Sequence, residues 1–139
     1  MSEAASLDDN AQPAHTLLFV YGSLMRGLEL HEQLAGALFV ARGRISGTLV
    51  SLGEYPGLIE GDGDVHGELY RLDSAAMLCA IDDLEEYDAQ RPEQSLYLRV
   101  ERDVRLDDGS TVRACVYLYN RDARDVSIIA SGDWRDAVT

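Results

Sequence analysis

Two alternating apolar runs near the C-terminus constrain this chain more than any other feature. Leu96, Leu98, Val100, Val104 and Leu106 share one parity, Val112, Ala114, Val116 and Leu118 form a second run, and Asp107-Asp108-Gly109-Ser110 separates them. Strand side chains alternate between faces and a turn of this composition suits a chain reversal, so the pattern predicts an antiparallel hairpin with one buried face. The upstream apolar runs are short and broken by glycine. Leu17 to Tyr21 reads as a buried strand stopped by Gly22, residues 37 to 52 are interrupted by Gly43 and Gly47, and Val65 to Leu72 follows a Gly61-Asp62-Gly63-Asp64 loop. Tyr55-Pro56-Gly57 marks a turn between them. Glycine within a strand marks a bulge or bend, so the expected sheet is curved and barrel-like.

Helical pattern is scarce by comparison. Leu28 to Ala35 suits one or two helical turns, and Asp73 or Ser74 can cap a helix running to about Glu86, ahead of an irregular loop at 87 to 95. The resulting order gives an α+β chain, a mixed, barrel-like β-sheet with flanking short helices and no Rossmann alternation. Residues 1 to 16 are small and polar without apolar period and read as a disordered leader. Residues 17 to 139 read as a single domain, a length at which one core suffices.

Composition removes several functions. The chain has 12 arginines, no lysine and a net charge of −13, so a Schiff-base lysine and a P-loop lysine are excluded and a nucleic acid is not an expected partner. Cys79 and Cys115 lie far apart and His15, His31 and His66 share no ligand spacing, so no metal site is expected and both cysteines read as small buried hydrophobes. No run of about 18 apolar residues occurs, and the N-terminus lacks a cationic segment followed by an apolar one; a cytoplasmic protein with no membrane partner is expected. His31 and His66 read as structural, and Trp134 as the anchor of the C-terminal tail.

Two segments carry chemistry. At 100° per residue, Met77, Leu78, Ile81 and Leu84 fall within one arc of roughly 120°, with Glu85 inside it and Asp82, Asp83 and Glu86 outside, facing water or a rim. A carboxylate held against apolar neighbours is costly to ionise, which suits a general acid/base. The alternative is a helix that ends at Leu84 and leaves Glu85 in solvent. In Tyr21-Gly22-Ser23-Leu24-Met25-Arg26-Gly27, two glycines bracket a turn whose free N–H groups suit an anion, with a plain tight turn as the alternative. The turn lacks a Walker lysine and does not fit G-x-G-x-x-G, so a carboxylate is a better guest than a nucleotide. Tyr97 and Arg99 share a strand face.

Tyr21-Gly22-Ser23-Leu24 with Arg26-Gly27, then Tyr55-Pro56-Gly57, Gly67-Glu68-Leu69-Tyr70, Ile81-Asp82-Asp83-Leu84-Glu85, Tyr97-x-Arg99, Val116-Tyr117 and Ser131-Gly132-Asp133-Trp134 resemble, in order and spacing, the γ-glutamylcyclotransferase-like (AIG2-like) family across about residues 18 to 134. The resemblance implies intramolecular cyclisation of a γ-glutamyl group to 5-oxoproline with release of an amine or amino acid, a small-molecule γ-glutamyl substrate and no cofactor. It places a catalytic glutamate at Glu85 and a substrate cradle at Tyr21, Gly22, Ser23 and Leu24, with Tyr97 reaching the site from the hairpin. One departure stands out, because the family commonly shows Glu-Gly where this chain has Glu85-Glu86. The leaving group and the oligomeric state stay open. So do two neighbouring functions: a relative acting on γ-glutamyl-amines or on a γ-glutamyl-capped biosynthetic intermediate, and a non-catalytic module that binds small carboxylates.

Overall fold

The glycine-broken strands close into a ring. The computed structural model describes residues 16–138, so all but the last residue of the expected leader lies outside the described residues. Six strands follow in chain order: β1 (Leu17–Val20), β2 (Leu38–Ser51), β3 (Pro56–Arg71), β4 (Tyr97–Leu106), β5 (Thr111–Tyr119) and β6 (Ser127–Ile128). β1 pairs antiparallel with β3 and parallel with β5, β5 pairs with β4, β4 with β2, and β2 returns to β3. These five strands form a closed, mixed barrel, and β6 adds to the end of β2. The expected hairpin is β4–β5, in register from Tyr97↔Tyr119 to Arg105↔Thr111.

Two expectations change in the first half of the sheet. Residues 37 to 52 form a single long strand, bent by irregularities at Phe39/Ala41 and Ser46/Thr48. The Gly61-Asp62-Gly63-Asp64 segment lies within β3 and does not separate two strands. Register jumps there from Ser46↔Asp64 to Thr48↔Ile59, so residues 60–63 bulge opposite Gly47. Such a bulge increases local twist, which a small closed barrel requires.

The core collects Leu18, Phe19 and Val20 of β1, Val65 and Leu69 of β3, Val104 of β4 and Val116 of β5, with Ile81 packed from the helix side. Trp134 opens a short C-terminal helix, α2 (Trp134–Val138), and is 2% exposed, so the tail is anchored as its composition implies. His66 N–H donates to the Gly132 carbonyl at 2.8 Å just ahead of it. The expected Leu28 to Ala35 helix is a 3₁₀ turn at His31–Leu34, where His31 Nδ1 lies 2.9 Å from the Leu24 carbonyl oxygen. Cys115 is half-buried in β5, but Cys79 is exposed, contrary to its expected burial.

The long helix, α1 (Ala75–Leu84), is capped by the Ser74 hydroxyl, which accepts from the Met77 N–H at 3.1 Å. It ends two residues earlier than expected. Tyr87 N–H donates to the Asp82 carbonyl at 2.9 Å and Glu86 N–H to the Asp83 carbonyl at 3.1 Å, the two bonds of a Schellman ending. The residue in the left-handed position of that ending is Glu86, at φ 54°. Glycine occupies such a position without a Cβ penalty. Glu86→Gly should therefore raise stability by roughly 1 kcal/mol, read as a higher urea midpoint at unchanged slope; a lower midpoint would mean that the Glu86 side chain contributes more than its backbone strain costs.

Candidate active site

β1 ends at Val20, and the chain then folds back over one end of the barrel. Met25 N–H donates to the Gly22 carbonyl at 3.0 Å and Leu30 N–H to the Ser23 carbonyl at 2.9 Å, which fixes a loop whose Tyr21, Leu24 and Met25 side chains are buried. The N–H groups of Gly22, Ser23 and Leu24 have no acceptor among the described residues. Gly22 is pressed on Pro56, where a Cβ would come within 2.9 Å of the proline ring. A side chain there would force the loop away from the start of β3.

This loop forms one wall of an open-mouthed cleft with a volume of about 120 Å³. Tyr55 and Pro56 form a second wall, Leu84, Glu85 and Glu86 a third, and Leu96, Tyr97 and Tyr117 complete it from the hairpin. All five expected site residues, Tyr21, Gly22, Ser23, Leu24 and Tyr97, therefore share one cleft with Glu85. The 87 to 95 loop contributes nothing to the lining, and only its flanking residues Glu86 and Leu96 reach the cleft.

Glu85 is the capping residue after α1, and the hydrogen bond from its N–H to the Ile81 carbonyl at 2.9 Å keeps its backbone on the helical path. It thus stays on the apolar arc although the helix proper stops at Leu84. Burial, reinforced by the neighbouring Glu86 charge, pushes its carboxyl up to about 7. Among the described residues no donor is hydrogen-bonded to it. Tyr21 and Tyr97 face the same space, and burial, with the Glu85 charge adding to it, raises both hydroxyls above their usual range. Both are engaged as donors, Tyr21 to the Tyr117 carbonyl and Tyr97 to the Pro56 carbonyl, each at 2.6 Å. They hold the barrel end together, and neither hydroxyl is donated to the Glu85 carboxyl.

Asp82 departs from expectation. It is off the apolar arc, yet its side chain is only 17% exposed because the β4–β5 hairpin covers it. The Tyr117 hydroxyl donates to Asp82 Oδ1 at 2.6 Å, and the Arg99 guanidinium pairs with Oδ2. Asp82 thereby fixes the Tyr117 ring in the cleft wall and ties α1 to the barrel. Helical periodicity alone could not reveal this, because both partners come from the hairpin; the Tyr97-x-Arg99 parity was the available signal.

Glu68, in β3, is 3% exposed and was not singled out by its chemistry. It accepts from the Arg26 N–H and the Tyr70 hydroxyl on Oε1 and from the Arg135 guanidinium on Oε2, each at 2.9 Å. Burial alone would raise this carboxyl, but the three hydrogen bonds and the Arg135 charge outweigh it and hold the group below the usual carboxylate range. Arg135 also donates to the Arg26 carbonyl at 2.6 Å, so α2 and β3 grip the end of the 21 to 27 loop.

Known proteins resemble this chain in sequence and in fold. The family model described as gamma-glutamyl cyclotransferase, AIG2-like, matches residues 18–136. The gamma-glutamylcyclotransferase family protein YtfP of Escherichia coli K12 is 37% identical over 86% of this chain and 96% of its own length. The gamma-L-glutamyl-butirosin B gamma-glutamyl cyclotransferase of Niallia circulans is 38% identical over 85% of this chain and 74% of its own. Among solved structures, an AIG2-like protein of Mus musculus superposes with a TM-score of 0.66 at 29% identity, covering 78% of this chain and 80% of that one. An uncharacterized protein of Pyrococcus horikoshii gives 0.67 at 25% identity, over 88% and 92%. The barrel, the cleft and these likenesses identify the chain as a member of the AIG2-like γ-glutamyl cyclotransferase family.

Proposed function

We propose that the protein cyclises γ-glutamyl compounds to 5-oxoproline, with Glu85 as the general acid/base. The free α-amine of the γ-glutamyl group attacks its own γ-carbonyl carbon, a proton of that amine passes to Glu85, and the bond from the carbonyl carbon to the leaving nitrogen breaks as Glu85 returns the proton to it. Atoms balance without a co-reactant. The observation that carries this reading is the Glu85 carboxyl itself: it sits in a tyrosine-lined cleft, unpaired with any donor among the described residues and pushed up to about 7. A group half-protonated near neutral pH can both accept and deliver a proton.

The unused N–H groups of Gly22, Ser23 and Leu24 bind the substrate's α-carboxylate, with the Ser23 hydroxyl as a further partner. Fixing that end sets the amine and the γ-carbonyl of one flexible molecule in ring-closing distance, and intramolecular reactions so oriented reach effective molarities on the order of 10⁵ M or more. A relative named for a γ-L-glutamyl substrate supports the reaction type.

Glu85→Gln keeps the side-chain volume but removes proton exchange. Turnover should fall on the order of 10²–10⁴-fold, measured as 5-oxoproline release, while affinity for a γ-glutamyl analogue changes far less. Parental turnover in the folded variant would move the base elsewhere.

The same substitution should change stability with a definite sign. The folded state holds the Glu85 proton up to about pH 7, whereas the unfolded chain releases it near 4.5. Ionisation therefore opposes folding as pH rises between those values. Glu85→Gln should match the parent near pH 4 and exceed it at pH 8 by on the order of 3 kcal/mol. Urea unfolding at the two pH values gives the comparison; an equal difference at both would mean that Glu85 is not desolvated.

Ser23→Pro deletes one cradle N–H. Calorimetry should show weaker binding of a γ-glutamyl analogue, by on the order of tenfold for one charge-assisted hydrogen bond, and unchanged affinity in a folded variant would rule out the cradle.

A further inference from the structure

Every backbone carbonyl from Gly22 to Arg26 is held by a donor. The Met25, Leu30 and Leu28 N–H groups donate to the Gly22, Ser23 and Met25 oxygens at 3.0, 2.9 and 3.1 Å. His31 Nδ1, which must carry its hydrogen to face a carbonyl, lies 2.9 Å from the Leu24 oxygen, and the Arg135 guanidinium donates to the Arg26 oxygen at 2.6 Å. The N–H groups of Gly22, Ser23 and Leu24 have no acceptor among the described residues. The peptide planes of the turn are thus oriented from their oxygen side.

Four of these ties are local, made by donors three or seven residues further along the chain. They give the loop its shape but not its place on the barrel. Arg135 stands 109 positions away. Its Nη2 bridges the Arg26 carbonyl and Glu68 Oε2, while Glu68 Oε1 accepts the Arg26 N–H. One ion pair therefore grips Arg26 on both of its backbone groups, just before Gly27 turns the chain away at φ 81°.

Both halves of that grip are seated on the barrel. Glu68 lies in β3 between Val20 of β1 and Arg42 of β2. Arg135 follows the buried Trp134, and the bond from the His66 N–H to the Gly132 carbonyl fixes the tail just ahead of it. A loop tied internally at four points moves as one piece, so a shift at Arg26 carries its free N–H groups with it. Misplacing a binding group by about 1 Å from a distant change is enough to impair a site.

In the cradle reading, on which this inference rests, those N–H groups take the α-carboxylate of the γ-glutamyl group. We infer that Arg135 is a positioning residue for that end of the substrate: acting through the Arg26 carbonyl and Glu68, it sets the cradle donors against the cleft. The C-terminal helix thereby belongs to the binding machinery, although none of its residues lines the cleft. Glu85 is held by α1 and not by this grip, so losing Arg135 weakens binding and leaves proton exchange alone.

Arg135→Met keeps most of the side-chain length without a donor, and Arg135→Lys keeps a charged terminal nitrogen able to bridge the same two acceptors. With γ-glutamyl-alanine as substrate, Arg135→Met should raise KM about fivefold, inside the roughly two- to thirtyfold range for a side chain that acts on a ligand through others. The turnover number and its pH midpoint should stay at the parental values, as expected when uniform binding is lost. Arg135→Lys should bring KM back to within about twofold of the parent. The Arg135 side chain is 33% exposed, so the substitution opens no enclosed cavity, and a cooperative urea transition checks the fold. If Arg135→Met does not fold, Arg135→Gln replaces it with the same expectation; failure of both to fold would make Arg135 a structural tie and overturn the inference. A parental KM in folded Arg135→Met, a lower kcat at parental KM, or an equal rise in KM for Arg135→Lys would also overturn it. A parental KM in Arg135→Met with weakened binding in Ser23→Pro would remove the inference alone, whereas parental affinity in both would remove the cradle. No 5-oxoproline from the parent would remove the reaction and the inference together.

Discussion

The buried Glu68 carboxylate ties three distant parts of the chain at one point. Its two oxygens take donors from the site loop, from its own strand and from the C-terminal helix. A buried charge is tolerable only when its lone pairs are met, and removing one partner of such a group costs more than an ordinary hydrogen bond. The loop that begins at Tyr21 has three internal backbone bonds, from Met25 to Gly22, from Leu28 to Met25 and from Leu30 to Ser23. Its fixed course past the cleft is completed by Glu68 below and Arg135 at its end.

Glu85 sits at the opposite extreme. Both glutamates are withdrawn from water, but Glu68 is surrounded by donors and kept ionised, whereas Glu85 faces tyrosine rings whose hydroxyls are turned to backbone carbonyls. The supply of donors holds one carboxyl below its usual range and leaves the other raised. The tyrosines have a double part in this, since they close the barrel end with the hydroxyls that would otherwise satisfy Glu85.

How much of this was legible in the sequence depended on whether a signal was local. The β4–β5 hairpin followed from parity, and Glu85 from its place on the apolar arc of α1, because both patterns repeat within one element. The Gly61 to Asp64 segment misled, since a bulge and a loop draw on the same residues and only the pairing partner, here Ser46 to Thr48 of β2, tells them apart. Asp82 and Glu68 were invisible as chemistry for a related reason: each is defined by partners from two other elements. The left-handed Glu86 was flagged by the resemblance as a departure from glycine, but its backbone conformation could not be read from residue types.

The closed ring has a consequence for how the cleft can exist at all. Tyr21 is tied to Tyr117, 96 positions away, and β1 meets β5 through Leu18↔Cys115. The cleft is thus a seam where the beginning and the end of the ring meet, and no contiguous fragment shorter than most of the described chain contains it. An N-terminal piece stopping before Thr111 would carry Glu85 and the Gly22 loop with the ring still open between them. Such a site cannot be moved to another protein as a cassette, and its geometry is coupled to long-range closure, the entropically most demanding step in assembling a barrel of this kind.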